Sequence, residues 1–410
     1  MAASSPPPTG QTAPFAYQTT QLVYVTNLVS DSVSVIDTST NTVVGTVTVG
    51  DGPRGVAVTP DGARAYVTNS DSDNVSVIDT STNTVVATVT VGDGPQGVAV
   101  TPDGARAYVT NSDSDNVSVI DTSSNTVVAT VTVGDDPRGV AVTPDGARAY
   151  VTNFFDDSVS VIDTATNTVI ATIDVGNLPS GVAISPDGTR AYVTNSGSDN
   201  VSVINTSTNT VIATITITIG VSPTDVAITP DGTRAYVTNL GDTSGGVQNV
   251  SVIDTATNTV IASITVGNGP QGVTVTPDGA RVYVTNSFDD SVSVIDTATN
   301  EVTGPPISVG DGPTDVAIAT IGTPPPPPPS DRRGRVVSKK PLKVHERPAR
   351  RSPVEGSLRP GEVVRIECKV DGHRAKGNDA WYKLASEPRG WVPARHVKVL
   401  DPPIPRCSDN

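Results

Sequence analysis

Tyr-Val-Thr-Asn occurs seven times, beginning at Tyr24, Tyr66, Tyr108, Tyr150, Tyr192, Tyr236 and Tyr283, at intervals of 42, 42, 42, 42, 44 and 47 residues. A period in this range restricts a chain to arrays of one small unit, stacked in a line or closed into a ring. Each unit reads as four short strands, which in the second copy are Gly55–Thr59, Ala65–Asn69, Val75–Ile78 and Thr84–Val91. Val, Ile and Thr fill these stretches, and Gly, Pro, Asn, Asp and Ser separate them, as expected for β-strands and tight turns. The ends of the array decide between line and ring. The first copy lacks the strand that precedes Tyr-Val-Thr-Asn elsewhere, and an orphan copy of that strand, Gly312 to Ala319, follows the last. In a line this strand would be an unpaired edge. In a ring it completes the first unit.

The stretches GVAVTPDGARAYVTN and NVSVIDTSTNTVVATVTVG resemble the YVTN β-propeller repeat family from about Gln21 to Gly322. The resemblance implies an all-β, seven-bladed β-propeller with four antiparallel strands per blade, the first blade closed by the C-terminal strand. It further implies relatives among bacterial and archaeal surface-layer proteins, and kinship of fold with quinoprotein dehydrogenases and nitrous oxide reductase. Beyond a run of six prolines, Pro324 to Pro329, which reads as an extended spacer, a second resemblance begins. Leu342-Lys343-Val344-His345, Gly356-Ser357-Leu358-Arg359-Pro360-Gly361, Trp381-Tyr382-Lys383-Leu384 and Gly390-Trp391-Val392-Pro393 are similar to the bacterial SH3-like (SH3b) domain, a small β-barrel. The expected organisation is a disordered leader over 1–20, the propeller over 21–322, a proline-rich linker over 323–334, the SH3-like domain over 335–402 and a tail over 403–410.

Charge divides the chain at the same place. The first 330 residues hold eight Arg, no Lys and 32 acids, a net charge of −24, whereas the last 80 hold 19 Lys and Arg against ten acids. An acidic ring of this kind repels nucleic acid and anionic membranes, and no apolar run approaches the roughly 20 residues of a membrane span. The first twenty residues lack the basic and apolar regions of a signal peptide.

The strand connections place two sets of side chains on one face of the ring. The first set comprises turn carboxylates, of which Asp71, Asp73, Asp113 and Asp115 are candidate Ca²⁺ ligands. No EF-hand spacing accompanies them, and structural turn chemistry is the expected role. The second set follows each inner-strand proline at the channel mouth: Arg54, Gln96, Arg138, Ser180, Thr224, Gln271 and Thr314. This position varies while its neighbours repeat, and its two guanidinium groups could pair with a carboxylate or phosphate. Hydration of the pore is the plainer reading. On the opposite face, strand register puts Arg64 across from Asp79, Arg106 from Asp121, Arg281 from Asp296 and Arg190 from Asn205, as cross-strand pairs.

The ring has no His, Cys or Lys and a single Glu, Glu301. Catalysis usually draws on those residue types. The second and third units, moreover, differ only at Arg54/Gln96 and Thr82/Ser124, whereas an active site requires asymmetry. In the C-terminal domain, Trp381, Tyr382 and Trp391 are candidates for a binding patch, with Trp391 expected in the core. The three histidines lack zinc spacing and read as surface residues. Cys368 and Cys407, the only cysteines, are expected to pair in an oxidising compartment.

The expected function is a non-enzymatic scaffold, extracellular or cell-wall associated and monomeric. Its SH3-like domain would dock to cell-wall peptide or surface polymer, and the propeller face would bind a protein or small ligand. No cofactor is expected apart from the Ca²⁺ candidates. The alternative is a propeller enzyme of lyase or dehydrogenase type acting at the channel mouth, and for location, the cytoplasm.

Overall fold

The computed structural model describes residues 19–241, 248–322, 333–347, 352–371, 380–384 and 390–400. Thr19–Gly322 forms one compact unit, and the strands from Arg333 onward belong to another. In the first unit seven antiparallel sheets succeed one another as blades. Blade 2 consists of Pro53–Val58, Arg64–Asn69, Asn74–Asp79 and Thr84–Thr90, from the channel outward, and blades 3 to 6 repeat that order. The innermost strand of each blade lies beside that of the next, and Pro313–Gly322 lies between those of blades 7 and 2. Blade 1 therefore joins Pro313–Gly322 to Thr19–Asn27, Ser32–Asp37 and Thr42–Thr48, with Val23 opposite Ile318 and Tyr24 opposite Ala317. This pairing begins at Thr19 with Gly322, two residues before the expected start of the ring. In blade 7 the outer strand is split into Glu301–Val302 and Ile307–Ser308. Pro305 and Pro306 lie between the two pieces and have no N–H to offer a ladder.

The core lies between blades. Tyr66, Val75, Val77 and Val89 of blade 2, for example, pack on Ala107, Val109 and Ile120 of blade 3. All seven repeat tyrosines are fully buried, yet a phenol needs a polar partner when taken out of water. Each hydroxyl reaches toward the outer turn of the next blade, where an Asn holds positive φ: Tyr24 donates to Asn83 Oδ1 at 2.7 Å, Tyr66 to Asn125 at 2.8 Å and Tyr108 to Asn167 at 3.0 Å. Tyr283 of blade 7 makes the same bond to Asn41 of blade 1 at 2.8 Å, so the latch crosses the closure. At the seam between blades 5 and 6 it fails, and both the Tyr192 hydroxyl and Asn258 Oδ1 are left without partners among the described residues.

The predicted cross-strand register is observed, with Arg64 opposite Asp79, Arg106 opposite Asp121, Arg190 opposite Asn205 and Arg281 opposite Asp296. Charge pairing does not follow from it. Arg190 Nη1 donates to the Thr255 carbonyl at 2.6 Å and Arg281 Nη1 to the Thr38 carbonyl at 2.8 Å, both in the neighbouring blade. The aspartates instead accept from their own turns, as when Asp79 Oδ1 takes bonds from the Ser81 hydroxyl at 2.6 Å and the Ser81 N–H at 3.0 Å. A planar guanidinium satisfies a buried carbonyl across the seam, while the carboxylate stays with its exposed turn.

In the second unit the strands run in the order Val354–Leu358, Leu342–His345, Gly390–Pro393, Ala380–Leu384, Val363–Asp371, Arg333–Val336 and Val397–Val399. Val336, Val344, Leu358, Ile366 and Val392 form its core. Trp381 is buried and Trp391 only half-buried, which reverses the expected assignment of Trp391 to the core. His345 is buried too, edge-on to Trp381 at 5.4 Å between ring centroids, and is not the surface residue expected. The expected Cys368–Cys407 pairing lies outside the described residues.

These seams make a prediction with an internal control. Tyr283→Phe removes one buried hydrogen bond at the closure and should cost about 1 kcal/mol, whereas Tyr192→Phe removes a hydroxyl with no partner and should leave stability unchanged or raised. Urea unfolding of the two variants side by side measures the difference, and equal losses would refute the latch.

Candidate functional site

Each innermost strand begins with an irregularity. Pro53 pairs with Asn69 and Val56 with Val67, so Arg54 and Gly55 together oppose Thr68 alone. Such a bulge re-aims the extra side chain, and here it turns residue 54 and its counterparts to the channel. The threonine of the repeat holds the bulge. Thr68 Oγ1 accepts the Gly55 N–H at 2.8 Å and donates to the Gln96 carbonyl of the next blade at 2.6 Å. Equivalent donations run from Thr110 to Arg138, Thr152 to Ser180 and Thr285 to Thr314, at 2.6 to 2.9 Å. Every predicted mouth residue (Arg54, Gln96, Arg138, Ser180, Thr224, Gln271 and Thr314) lines one cavity of about 360 Å³.

The two arginines are not equivalent. Arg138 is committed: it bonds Asp136 Oδ2 through Nε at 3.2 Å and Nη2 at 2.9 Å, and its guanidinium lies 3.2 Å from the centroid of Phe154. Arg54 meets only the Ser70 hydroxyl, at 3.2 Å from Nε, and has no ion pair among the described residues. Burial holds its pKa below the usual arginine range, with the charge of Asp71 opposing. The Ser70 hydroxyl in turn donates to Asp71 Oδ1 at 3.0 Å, so a carboxylate stands one hydroxyl away from the guanidinium.

Two further cavity-lining groups escaped the sequence reading. The position after each mouth residue is glycine in blades 2, 3, 4, 5 and 7 but Asp225 in blade 6 and Asp315 in blade 1. Glycine is demanded there by crowding, since a Cβ on Gly55 would come within 2.5 Å of the Gln96 carbonyl. In the two exceptions the carboxylate reaches the neighbouring blade. Asp225 accepts the Val226 N–H at 2.8 Å and the Val273 N–H at 3.0 Å, while Asp315 accepts Val316 at 2.7 Å and Val56 at 2.9 Å. Burial pushes Asp225 up to about 7, helped by the charge of Asp315, and burial pushes Asp315 up to about 6 despite its backbone hydrogen bonds. The charge of Asp315 is felt at Asp225, so the titrations of the two carboxyls are linked.

The signal was present in the sequence as two Gly-to-Asp departures, together with the lengthened intervals of 44 and 47 residues on either side of the blade 6 strand that starts at Arg234. Those departures supply the asymmetry that the near-identical units 2 and 3 lack. The Ca²⁺ candidates fall elsewhere. Asp73 and Asp115, at positive φ, accept the Gly94 N–H at 3.0 Å and the Asp136 N–H at 3.1 Å from adjacent links. Asp71 and Asp113 accept from Ser70 and Ser112 beside them, at 3.0 and 3.1 Å. Among the described residues no three His, Cys, Asp or Glu side chains gather into a metal-holding group.

Residues 98–250 match the family model described as Lactonase, 7-bladed beta-propeller, and residues 1–96 match YNCE-like beta-propeller. The chain is a β-propeller protein. Among solved structures it is similar to hydrazine synthase of Kuenenia stuttgartiensis, 28% identical over 67% of this chain and 92% of that one, with a TM-score of 0.61. A putative 6-phosphogluconolactonase from Bacteroides uniformis ATCC 8492 is 19% identical over 73% of this chain and 99% of its own, with a TM-score of 0.62, a likeness of fold. A curated relative, PE-PGRS family protein PE_PGRS18 of Mycobacterium tuberculosis (strain ATCC 25618 / H37Rv), is 63% identical over 38 residues, which span 9% of this chain and 8% of the relative. The lactonase model and the hydrazine synthase likeness overturn the expected non-enzymatic scaffold in favour of its enzymatic alternative. The scarcity of His, Cys, Lys and Glu had pointed away from catalysis, although the ring is rich in aspartate.

The raised carboxyls fix the sign of a pH effect. Folded Asp225 and Asp315 hold protons more tightly than the unfolded chain does, so between about pH 4 and about pH 7 the folded state binds more protons and their contribution to stability falls as pH rises. The turn aspartates, whose pKa values are lowered by hydrogen bonds, act in the opposite sense at the acid end. The difference in urea midpoint between the wild type and the Asp225→Asn/Asp315→Asn double variant isolates the pair. The double variant should gain relative stability steadily toward neutral pH, and a constant difference would contradict the burial.

Proposed function

We propose that the ring is an acid–base enzyme, of hydrolase or lyase type, acting on a small molecule at the channel mouth. The observation that carries this reading is that Asp225 and Asp315 line one cavity, each pushed above the usual carboxylate range by burial. The ionised partner takes a proton from the substrate or from an attacking water. The protonated partner gives one to the departing heteroatom, and the pair ends with one proton, as it began. The backbone N–H groups of Val273 and Val56 hold the carboxyls in place without neutralising them. Arg54 comes from blade 2, next to the strand that carries Asp315, and Arg138 shapes the rim through Phe154 and Asp136. The lactonase family model over 98–250 supports hydrolysis as the reaction class.

For the C-terminal unit we propose an SH3-like fold that delivers the enzyme to a surface polymer outside the cell. The short antiparallel strands and the half-buried Tyr382 and Trp391 support it.

A screen of small lactones and elimination substrates with the full chain tests the enzymatic reading. Asp225→Asn and Asp315→Asn should each lower kcat by about 10²-fold or more, within the range for general acid–base groups, while thermal unfolding remains cooperative. Turnover unaltered in the double variant would remove the reading.

A further inference from the structure

The loop that follows each Tyr-Val-Thr-Asn strand reaches the mouth face in the same backbone frame in every blade. Its second residue donates its N–H to a carbonyl of the link that enters the blade, as Val29 does to Asp311 at 3.1 Å, Asp71 to Asp51 at 3.2 Å, Phe155 to Asp135 at 3.3 Å and Phe288 to Asn268 at 3.1 Å. The side chain at this fixed position varies. It is aspartate in blades 2 and 3, glycine in blades 5 and 6, and Val29, Phe155 and Phe288 in blades 1, 4 and 7. Those three are 68%, 62% and 68% exposed. The fold does not require them, since aspartate or glycine serves in the other four blades. The exposed valine and isoleucine side chains of the outer strands, such as Val85 and Val86, recur from blade 1 to blade 6 and belong to the scaffold. Among the described residues the turns of the opposite face expose no large apolar side chain. From this arrangement we infer that the mouth face docks a basic protein with exposed apolar side chains, which lies across the channel opening.

The anchors are held in advance. Phe155 lies edge-on to Phe154 at 5.2 Å between centroids, and Arg138 covers Phe154 in turn. Phe288 rests against Gly269, where a Cβ would come within 2.8 Å of its ring. Aromatic side chains fixed before contact lose little entropy on binding, and such residues dominate the energy of protein interfaces. Charge selects the partner. Asp31 flanks Val29, Asp156 and Asp157 flank Phe155, and Asp289 and Asp290 flank Phe288. The only cations of the ring at this end are Arg54 and Arg138, the second paired with Asp136, because the other six arginines begin strands at the opposite face. A second copy of the ring would bring a net charge of −24 against the same acids, and an anionic membrane is repelled likewise. In a ring of seven, blade 4 stands across from the seam of blades 7 and 1, so a body touching all three anchors covers the channel. This docking goes beyond the enzymatic reading and does not depend on it.

A library of random sixteen-residue peptides displayed on phage, panned on the full chain and depleted on its Phe155→Asp/Phe288→Asp variant, supplies defined probes. Aspartate already holds this position in blades 2 and 3, so the variant should unfold as cooperatively as the wild type. The peptides retained should join Lys or Arg to aromatic or aliphatic residues. In fluorescence anisotropy titrations, Phe155→Asp and Phe288→Asp should each weaken their binding about tenfold or more, as loss of an aromatic anchor does. The loss is expected although each substitution adds a charge that attracts a basic peptide. Phe155→Leu and Phe288→Leu should keep most of the affinity, and binding should fall as salt rises. Retained peptides that are acidic, that ignore salt or that respond to only one of the two substitutions would overturn the inference, as would a library that yields none. Self-association of the full chain that the double variant abolishes would make the occupant a second copy and overturn it too. Phosphatidylcholine vesicles that bind the wild type but not the double variant would do the same in favour of a membrane.

Discussion

The threonine of the repeat is the atom-scale constraint on which the ring depends. Its hydroxyl accepts the N–H that the bulge exposes and donates to the mouth carbonyl of the next blade, as Thr68 does toward Gly55 and Gln96. The bond is local in the first half and inter-blade in the second, so the geometry that aims a side chain into the channel also sets the spacing of the neighbour. The same applies at the closure, where Thr26 accepts from Asp315 at 3.0 Å and donates to the Arg54 carbonyl at 2.6 Å. A single hydrogen bond of this kind contributes only about 1 kcal/mol. Repeated around a closed ring it fixes the diameter of the mouth, because no blade can tilt without loosening two bonds.

Each residue of Tyr-Val-Thr-Asn thus has a distinct task. The tyrosine latches the outer turn of the next blade, the valine fills the inter-blade core, and the threonine sets the mouth. The asparagine ties its own loop, as Asn69 does by donating to Asn74 at 2.7 Å and Ser76 at 3.0 Å. Conformational entropy opposes ordering some 300 residues of loop-rich chain, and the ring answers it with many weak, identical, mutually consistent contacts. Closure adds the strand Pro313–Gly322 to the first blade and leaves no inner edge exposed.

The fold was legible because strand period, turn chemistry and the orphan strand all point to the same answer. Register was legible as well, since fixing Asn69 against Asn74 places Arg64 against Asp79. What side chains do across a seam was not, because the reach of Arg190 to the Thr255 carbonyl depends on how two separate sheets pack. The mouth residues were found by their variability, yet the aspartates behind them were passed over. Asp225 and Asp315 look like ordinary members of a chain rich in aspartate until each is aligned with the glycine that holds the same position in five other blades. Arg54 and Arg138 looked interchangeable; Phe154 and Asp136 separate them.

A repeat this regular makes function a matter of departures from it. Five blades keep glycine behind the mouth, where a Cβ would collide with the next backbone, and two carry aspartate instead. The next position around the ring is glycine in both cases, Gly272 after Asp225 and Gly55 after Asp315, and each carboxyl takes an N–H from that neighbouring strand. Burying two interacting carboxyls lowers stability as they ionise, and nothing in the scaffold requires it, since the other blades do without them. The ring tolerates this because its stability is spread over seven near-equivalent seams, so a local loss at two of them leaves the others intact. That tolerance is what allows a nearly symmetric scaffold to bury two carboxyls at unequal positions around its mouth. It also explains why the broken Tyr192–Asn258 latch, the lengthened loops and Asp225 all occur around blade 6.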